Sequence, residues 1–159
     1  MTTLGPGRIP LTQKLVYSAG GFAITLLISS TALFLLNFYT DVALVPPAIA
    51  SSALLIGKTW DTINDPLMGW LSDRTRSRHG RRRVYLVYGA LPLALTTLLL
   101  FAVPRGLDSF WAFVWIALTY SIFDTLFTLV SVPYNALGSE MTDDYDERTS
   151  LMAVGAVGT

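Results

Sequence analysis

Apolar residues along the chain gather into long blocks broken by short polar stretches. A helix needs about 20 mostly apolar residues to cross the hydrocarbon of a bilayer. Four blocks meet that need, and they predict helices over roughly residues 14–40, 46–71, 84–103 and 110–137. The first carries no charge after Lys14, and the fourth carries only Asp124. The second is the exception, because Lys58, Asp61 and Asp65 lie inside it. The breaks are short, at 41–46, 72–83 and 104–109. Beyond Leu137 the run GSEMTDDYDERTS is polar and acidic, and the final LMAVGAVGT turns apolar again, as the start of a fifth helix would. The expected architecture is an all-α membrane protein: a tail over 1–13, four transmembrane helices within 14–138, and a segment over 139–159 that leads into a truncated fifth.

Charge refines this picture through its placement rather than its total. The formal net charge is zero, 14% of residues are charged and 52% are hydrophobic. Six of the eleven Lys and Arg residues lie between Arg74 and Arg83, whereas the 41–46 break has none and the 104–109 break has only Arg105. Short basic loops stay on the cytoplasmic side. The 72–83 loop is therefore expected in the cytoplasm, and alternation of the spans places the N-terminus and the 139–159 segment there as well. Aromatic residues near the span ends (Tyr39, Trp70, Tyr85, Trp111) suit the lipid–water boundary. A nucleic-acid reading of the arginine run is set aside, because the run sits between two apolar spans. Cysteine is absent, which excludes disulfides and thiolate metal sites. The N-terminus lacks the pattern of a signal peptide, so the first span is expected to be retained.

The second span holds the chemistry. Lys58, Asp61 and Asp65 are spaced by three and four and share one helix face, with Asn64 beside them. A charge at the membrane centre costs roughly 2.5–3.5 kcal/mol, so three unpaired charges cost on the order of 8–10 kcal/mol. Two carboxylates one turn apart also repel, and a bound cation relieves both penalties. Sodium would take oxygens from Asp61, Asp65 and Asn64; a proton on either carboxylate would relieve the same repulsion. A structural salt bridge from Lys58 is the competing reading, although one lysine cannot neutralise two aspartates. Pro66 removes the backbone bond to the Thr62 carbonyl and predicts a kink beside the pair.

In the fourth span Asp124, Thr128, Ser131 and Asn135 recur at helical spacing as a polar stripe, which lines a cavity or a neighbouring helix. A pairing of Asp124 with Lys58 across helices is open. The first span is polar at Tyr17, Thr25 and a few serines, with Gly20 and Gly21 suited to close packing. No Ser–His–Asp set, metal-ligand cluster or phosphate loop supports an enzyme.

The segment KTWDTINDPLMGWLSDRTRSRHGRRR (58–83) closely resembles the glycoside–pentoside–hexuronide:cation symporters of the major facilitator superfamily. KLVYSAGG (14–21), FYTDV (38–42) and VPYNALGSEMTDDYDERTSL (132–151) agree with it, so the resemblance covers nearly the whole chain. It implies the N-terminal part of a larger transporter in the cell (inner) membrane, with no cofactor beyond a coupling cation (sodium, lithium or a proton). The implied partners are a small solute of the sugar class, membrane lipids and the remainder of the transporter, and no nucleic acid. Asp61 and Asp65 fall on the family's paired cation-site aspartates, Asn64 on the asparagine between them, and Thr128 on a fourth-helix threonine of the same site. Lys58 stands at a basic position associated with the sugar site. Gly69, Asp73, Arg74, Gly80, Arg81 and Arg82 resemble the superfamily's cytoplasmic gate motif. The substrate half departs from the pattern. Thr25 and Ser131 stand where galactoside-binding members carry aspartates, and Asn135 replaces a tryptophan that stacks on the sugar. With Tyr17, Lys58 and Asp124, these complete the candidate substrate contacts. A different glycoside or a lysolipid-like solute fits these departures too.

Overall fold

The computed structural model describes residues 10–75 and 83–140, apart from the side chains of residues 11, 73, 83 and 138–140. The described residues form four α-helices and no strands: α1 (Leu11–Asn37), α2 (Pro47–Arg74), α3 (Arg83–Leu100) and α4 (Ser109–Glu140). Each corresponds to one apolar block, with ends that differ by a few residues for local reasons. The α1 helix starts early because Pro10 offers its carbonyl to the amides of Gln13 and Lys14, at 2.9 and 3.2 Å. It closes in a wide π turn over Phe38–Val42, sealed by Ala43 N–H donating to the Phe38 carbonyl at 2.9 Å. Pro47 then opens α2 at a position where a missing N–H costs nothing.

At its far end α2 runs three residues beyond the expected Leu71. The Thr75 hydroxyl donates to the Leu71 carbonyl at 2.8 Å, and the Arg74 guanidinium lies 4.2 Å over the Trp70 ring. Tyr85 of α3 meets Thr75 through their hydroxyls, tying the end of α2 to the start of α3. The α3 helix stops at Leu100 rather than at 103. Its last amides turn back on carbonyls three residues earlier, and Pro104 has no N–H to continue the ladder. The α4 helix begins with Asp108, whose Oδ1 accepts from Trp111 N–H at 3.0 Å as an N-cap.

The chain divides into two compact units, Met1–Ser30 with Asn135–Thr159, and Thr31–Tyr134. In the first unit the outward positions of α1 are apolar, among them Leu15, Val16, Phe22 and Leu26. In the second, Phe34, Val87, Leu91, Leu98 and Leu118 are exposed, while Asn64, Thr96, Thr119, Asp124 and Thr128 are buried. Polar residues thus share the interior with apolar ones such as Leu35, Leu100, Ile116 and Phe123 while large apolar residues cover the outside, the arrangement a lipid solvent selects. Two helical stretches, Thr12–Val42 and Ser109–Leu137, have the length and hydropathy to cross a membrane. Val84–Leu100 is apolar but shorter.

Hydroxyls inside the helices are satisfied at home. Thr96, Thr97, Thr119, Ser121 and Thr125 each donate to a carbonyl four residues earlier, at 2.7–3.0 Å. At the other end of the second unit from Arg74, the turn after α1 and the 101–109 segment line a cavity of about 1230 Å³ that includes Arg105 and Asp108.

Candidate functional site

The site is the seam between α2 and α4 inside the second unit. The buried face of α2 is small above its middle, with Ala50, Ala53 and Gly57 at spacings of three and four. Gly57 is a point of close approach: a Cβ there would lie 2.4 Å from Cδ1 of Tyr120. Contacts below it are polar. Trp60 Nε1 donates to Thr125 Oγ1 at 2.9 Å, and that hydroxyl in turn donates to the Ser121 carbonyl at 2.8 Å. Next, Thr128 Oγ1 donates to Asp65 Oδ1 at 3.1 Å. The pairs 57·120, 60·125 and 65·128 rise together, so α2 and α4 run parallel and in register. The α3 helix packs on α4 from elsewhere, with Gly89 so close that a Cβ would meet Val130 Cγ2 at 2.7 Å.

Asp61 falls at the midpoint of the 28-residue α2, about 21 Å from its start at 1.5 Å per residue. The Lys58 ammonium pairs with Asp61 Oδ2. The open cross-helix pairing of Lys58 with Asp124 is therefore not formed in this structure: the same-helix partner is one turn away and needs no reach across the seam. Asp65 is left to Thr128. Asn64 is buried in the packing, where it is 0% exposed and neither amide atom has a hydrogen-bond partner. A buried amide without partners costs a few kcal/mol, so the Asn64 carbonyl oxygen and N–H are both left with unused hydrogen-bonding capacity. Pro66 is accommodated within α2, which continues through it to Arg74.

On α4, Asp124 and Thr128 are 5% and 2% exposed, and Ser131 is also buried. Asp124 lies within electrostatic reach of Asp61, Lys58 and Asp65, and its Oδ2 has no partner. Among the described residues no three acidic or imidazole groups converge as they would around a transition metal. Tyr17, Thr25 and Asn135 belong to the first unit; Tyr17 and Thr25 are half-buried there, and Asn135 is exposed. Of the expected gate residues, Gly69 stands in open space and Arg74 stacks on Trp70. Gly80, Arg81, Arg82 and the Asp73 side chain lie outside the described residues, as does the expected fifth helix after residue 150.

Sequence reasoning passed over Gly57, Tyr120, Trp60 and Thr125 as site components. The small-residue spacing of Ala50, Ala53 and Gly57 was the signal for a close helix contact.

Long apolar helices with a polar seam between two of them are the arrangement of an integral membrane protein. The chain belongs to the MFS/sugar transport protein family, whose model matches residues 16–159. The resemblance to cation symporters is upheld by relatives of that kind. An uncharacterised symporter of Synechocystis is 40% identical over 154 residues, covering 94% of this chain and 28% of the relative. A putative glycoside/cation symporter of Escherichia coli is 33% identical over 92% of this chain and 32% of its own. A sodium-dependent lysophosphatidylcholine symporter of mouse is 34% identical over 96% of this chain and 30% of its own. The chain thus spans about a third or less of the length of these relatives.

Proposed function

We propose that the chain is the N-terminal part of a cation-coupled symporter that moves a sugar or glycoside-like solute across the cell (inner) membrane. In this reading α1 to α4 all cross the membrane, the N-terminus and the 72–83 loop are cytoplasmic, and a fifth helix starts after residue 150. The coupling cation, sodium, lithium or a proton, binds between Asp61 and Asp65 with Asn64 and Thr128 completing the oxygen set. The observation that carries this is the Thr128–Asp65 bond. Neighbouring α4 hydroxyls at 119, 121 and 125 close on their own helix, whereas Thr128 reaches across the seam to a mid-helix carboxylate at 3.1 Å. A threonine oxygen, two carboxylates and an unpartnered amide at one depth suit a hard monovalent cation. Lys58, Asp124, Ser131, Asn135, Thr25 and Tyr17 are the candidate solute contacts, and residues 69–82 the cytoplasmic gate. The reaction is transport, with no bond made or broken in the solute.

The energetics are sufficient. One monovalent cation falling through 100 mV supplies about 2.3 kcal/mol. A tenfold concentration gradient adds about 1.4 kcal/mol. Together they sustain accumulation of a neutral solute by roughly 500-fold at that same scale. Asp61→Asn in the full-length transporter tests the role: cation stimulation of solute uptake should vanish. Uptake that keeps its full sodium, lithium or proton stimulation sinks the assignment. The mouse relative, named for a lysophosphatidylcholine, favours a second reading in which the solute is lipid-like. Competition of labelled glycoside uptake by a lysophospholipid separates the two.

A further inference from the structure

We propose that Asp124 receives the Lys58 ammonium when a monovalent cation takes Asp61, an ion-pair exchange across the α2–α4 seam that reports the loading of the cation site to α4. The inference rests on the cation reading of Asp61 and Asp65. It starts from a conflict in the geometry. Lys58 is paired with Asp61, the carboxylate that the cation needs. A cation bridging Asp61 and Asp65 brings a second positive charge against the ammonium, and the ammonium must leave.

Where it goes is limited by the register of the seam. Gly57 meets Tyr120, Trp60 meets Thr125 and Asp65 meets Thr128, so Asp124 falls opposite Trp60 and Asp61. It is within electrostatic reach of Lys58 and of both α2 aspartates. It is also 5% exposed, with one carboxylate oxygen that has no partner. Its other contact is to the Asp61 carboxylate, a like group, so the buried, unpartnered oxygen stays costly, and an arriving ammonium removes that cost. The Lys58 side chain is 59% exposed on a flexible stem, so it is free to swing. Three carboxylates are then served by two charges: the cation bridges Asp61 and Asp65, and the ammonium neutralises Asp124.

The test uses the full-length transporter in lipid nanodiscs, with sodium and lithium as probes in calorimetric titrations. Asp124→Asn should weaken cation binding by tenfold or more, because Lys58 loses its alternative partner and competes for Asp61. In a Lys58→Gln background the same change should matter by less than twofold. An equal loss in both backgrounds means that Asp124 acts on the cation directly, and it overturns the exchange. Asp124→Glu keeps the carboxylate and should stay within threefold of wild type. Wild-type protein supplies a second measurement. Carbodiimide cross-linking read by mass spectrometry should couple Lys58 to Asp124 only with saturating cation, and a yield that ignores the cation overturns the exchange. Wild-type protein that binds neither cation overturns the exchange, while the functional reading is decided separately by the Asp61→Asn uptake assay. Binding with additive variants overturns the exchange alone.

Discussion

Replacing Gly57 by alanine puts a methyl carbon where the Tyr120 ring already lies. The new Cβ would sit 2.4 Å from Cδ1, 3.2 Å from Cε1 and 3.3 Å from Cγ of that ring. Ordinary carbon contacts fall at about 3.5–4.0 Å, so the shortfall at the nearest atom exceeds about 1 Å. Turning the ring aside would disturb its contact with Phe123, at 6.2 Å between ring centroids, and the Phe123–Phe127 stack at 6.0 Å. Moving α2 off α4 by that distance would stretch the bonds at 2.9 Å (Trp60–Thr125) and 3.1 Å (Asp65–Thr128) to roughly 4 Å, beyond hydrogen-bonding range. Overpacking of this kind costs about 1–3 kcal/mol. If the whole cost falls on the cation-loaded state, affinity drops by roughly 5- to 150-fold at 1.4 kcal/mol per decade. The assay is the sodium or lithium dependence of solute uptake by the full-length transporter, alongside its unfolding midpoint in detergent. Gly57→Ala should raise the half-saturating cation concentration, and adding Tyr120→Ala should bring it back towards wild type. A Gly57→Ala protein with unchanged cation dependence and stability would refute the close-approach argument. So would a defect that Tyr120→Ala does not relieve.

Gly89→Ala repeats the experiment on the α3–α4 face, where the methyl would meet Val130 Cγ2 at 2.7 Å; it should cost stability, with relief by Val130→Ala and no change in cation affinity beyond about twofold. Trp60→Phe removes the N–H that reaches Thr125, and a single such bond between membrane helices is worth about 0.6 kcal/mol on average. Its unfolding free energy should therefore fall by less than about 2 kcal/mol, and a larger loss would assign the stabilisation to ring packing instead.

Much of the architecture was legible in the chain because a bilayer sets a length. Blocks of apolar residues at 14–40 and 110–137 can bury their backbone in lipid only as helices, and helices are what form there. The ends were less legible. The close of α1 in a π turn and the run of α2 to Arg74 depend on local bonds of Phe38, Thr75 and Trp70, which hydropathy does not register. The candidate site divides in the same way. The spacing of Lys58, Asp61 and Asp65 follows from helical periodicity, and the cost of their charges follows from the solvent.

Which groups those side chains meet is a property of the packed seam. Both aspartates were equal in the sequence, each able to pair with Lys58. The fold gave the ammonium to Asp61 and the Thr128 hydroxyl to Asp65. Asn64 read as a neighbour of the pair, and only packing turned its amide inward without partners. Asp124 is a lone charge in an apolar block until Gly57 lets α4 come close enough to bring it against Asp61. The sequence determined that costly charges share one face midway along an apolar block, because hydrophobic length and helix period are local quantities. The tertiary structure decided how those charges are shared, because sharing depends on contacts between residues more than sixty positions apart.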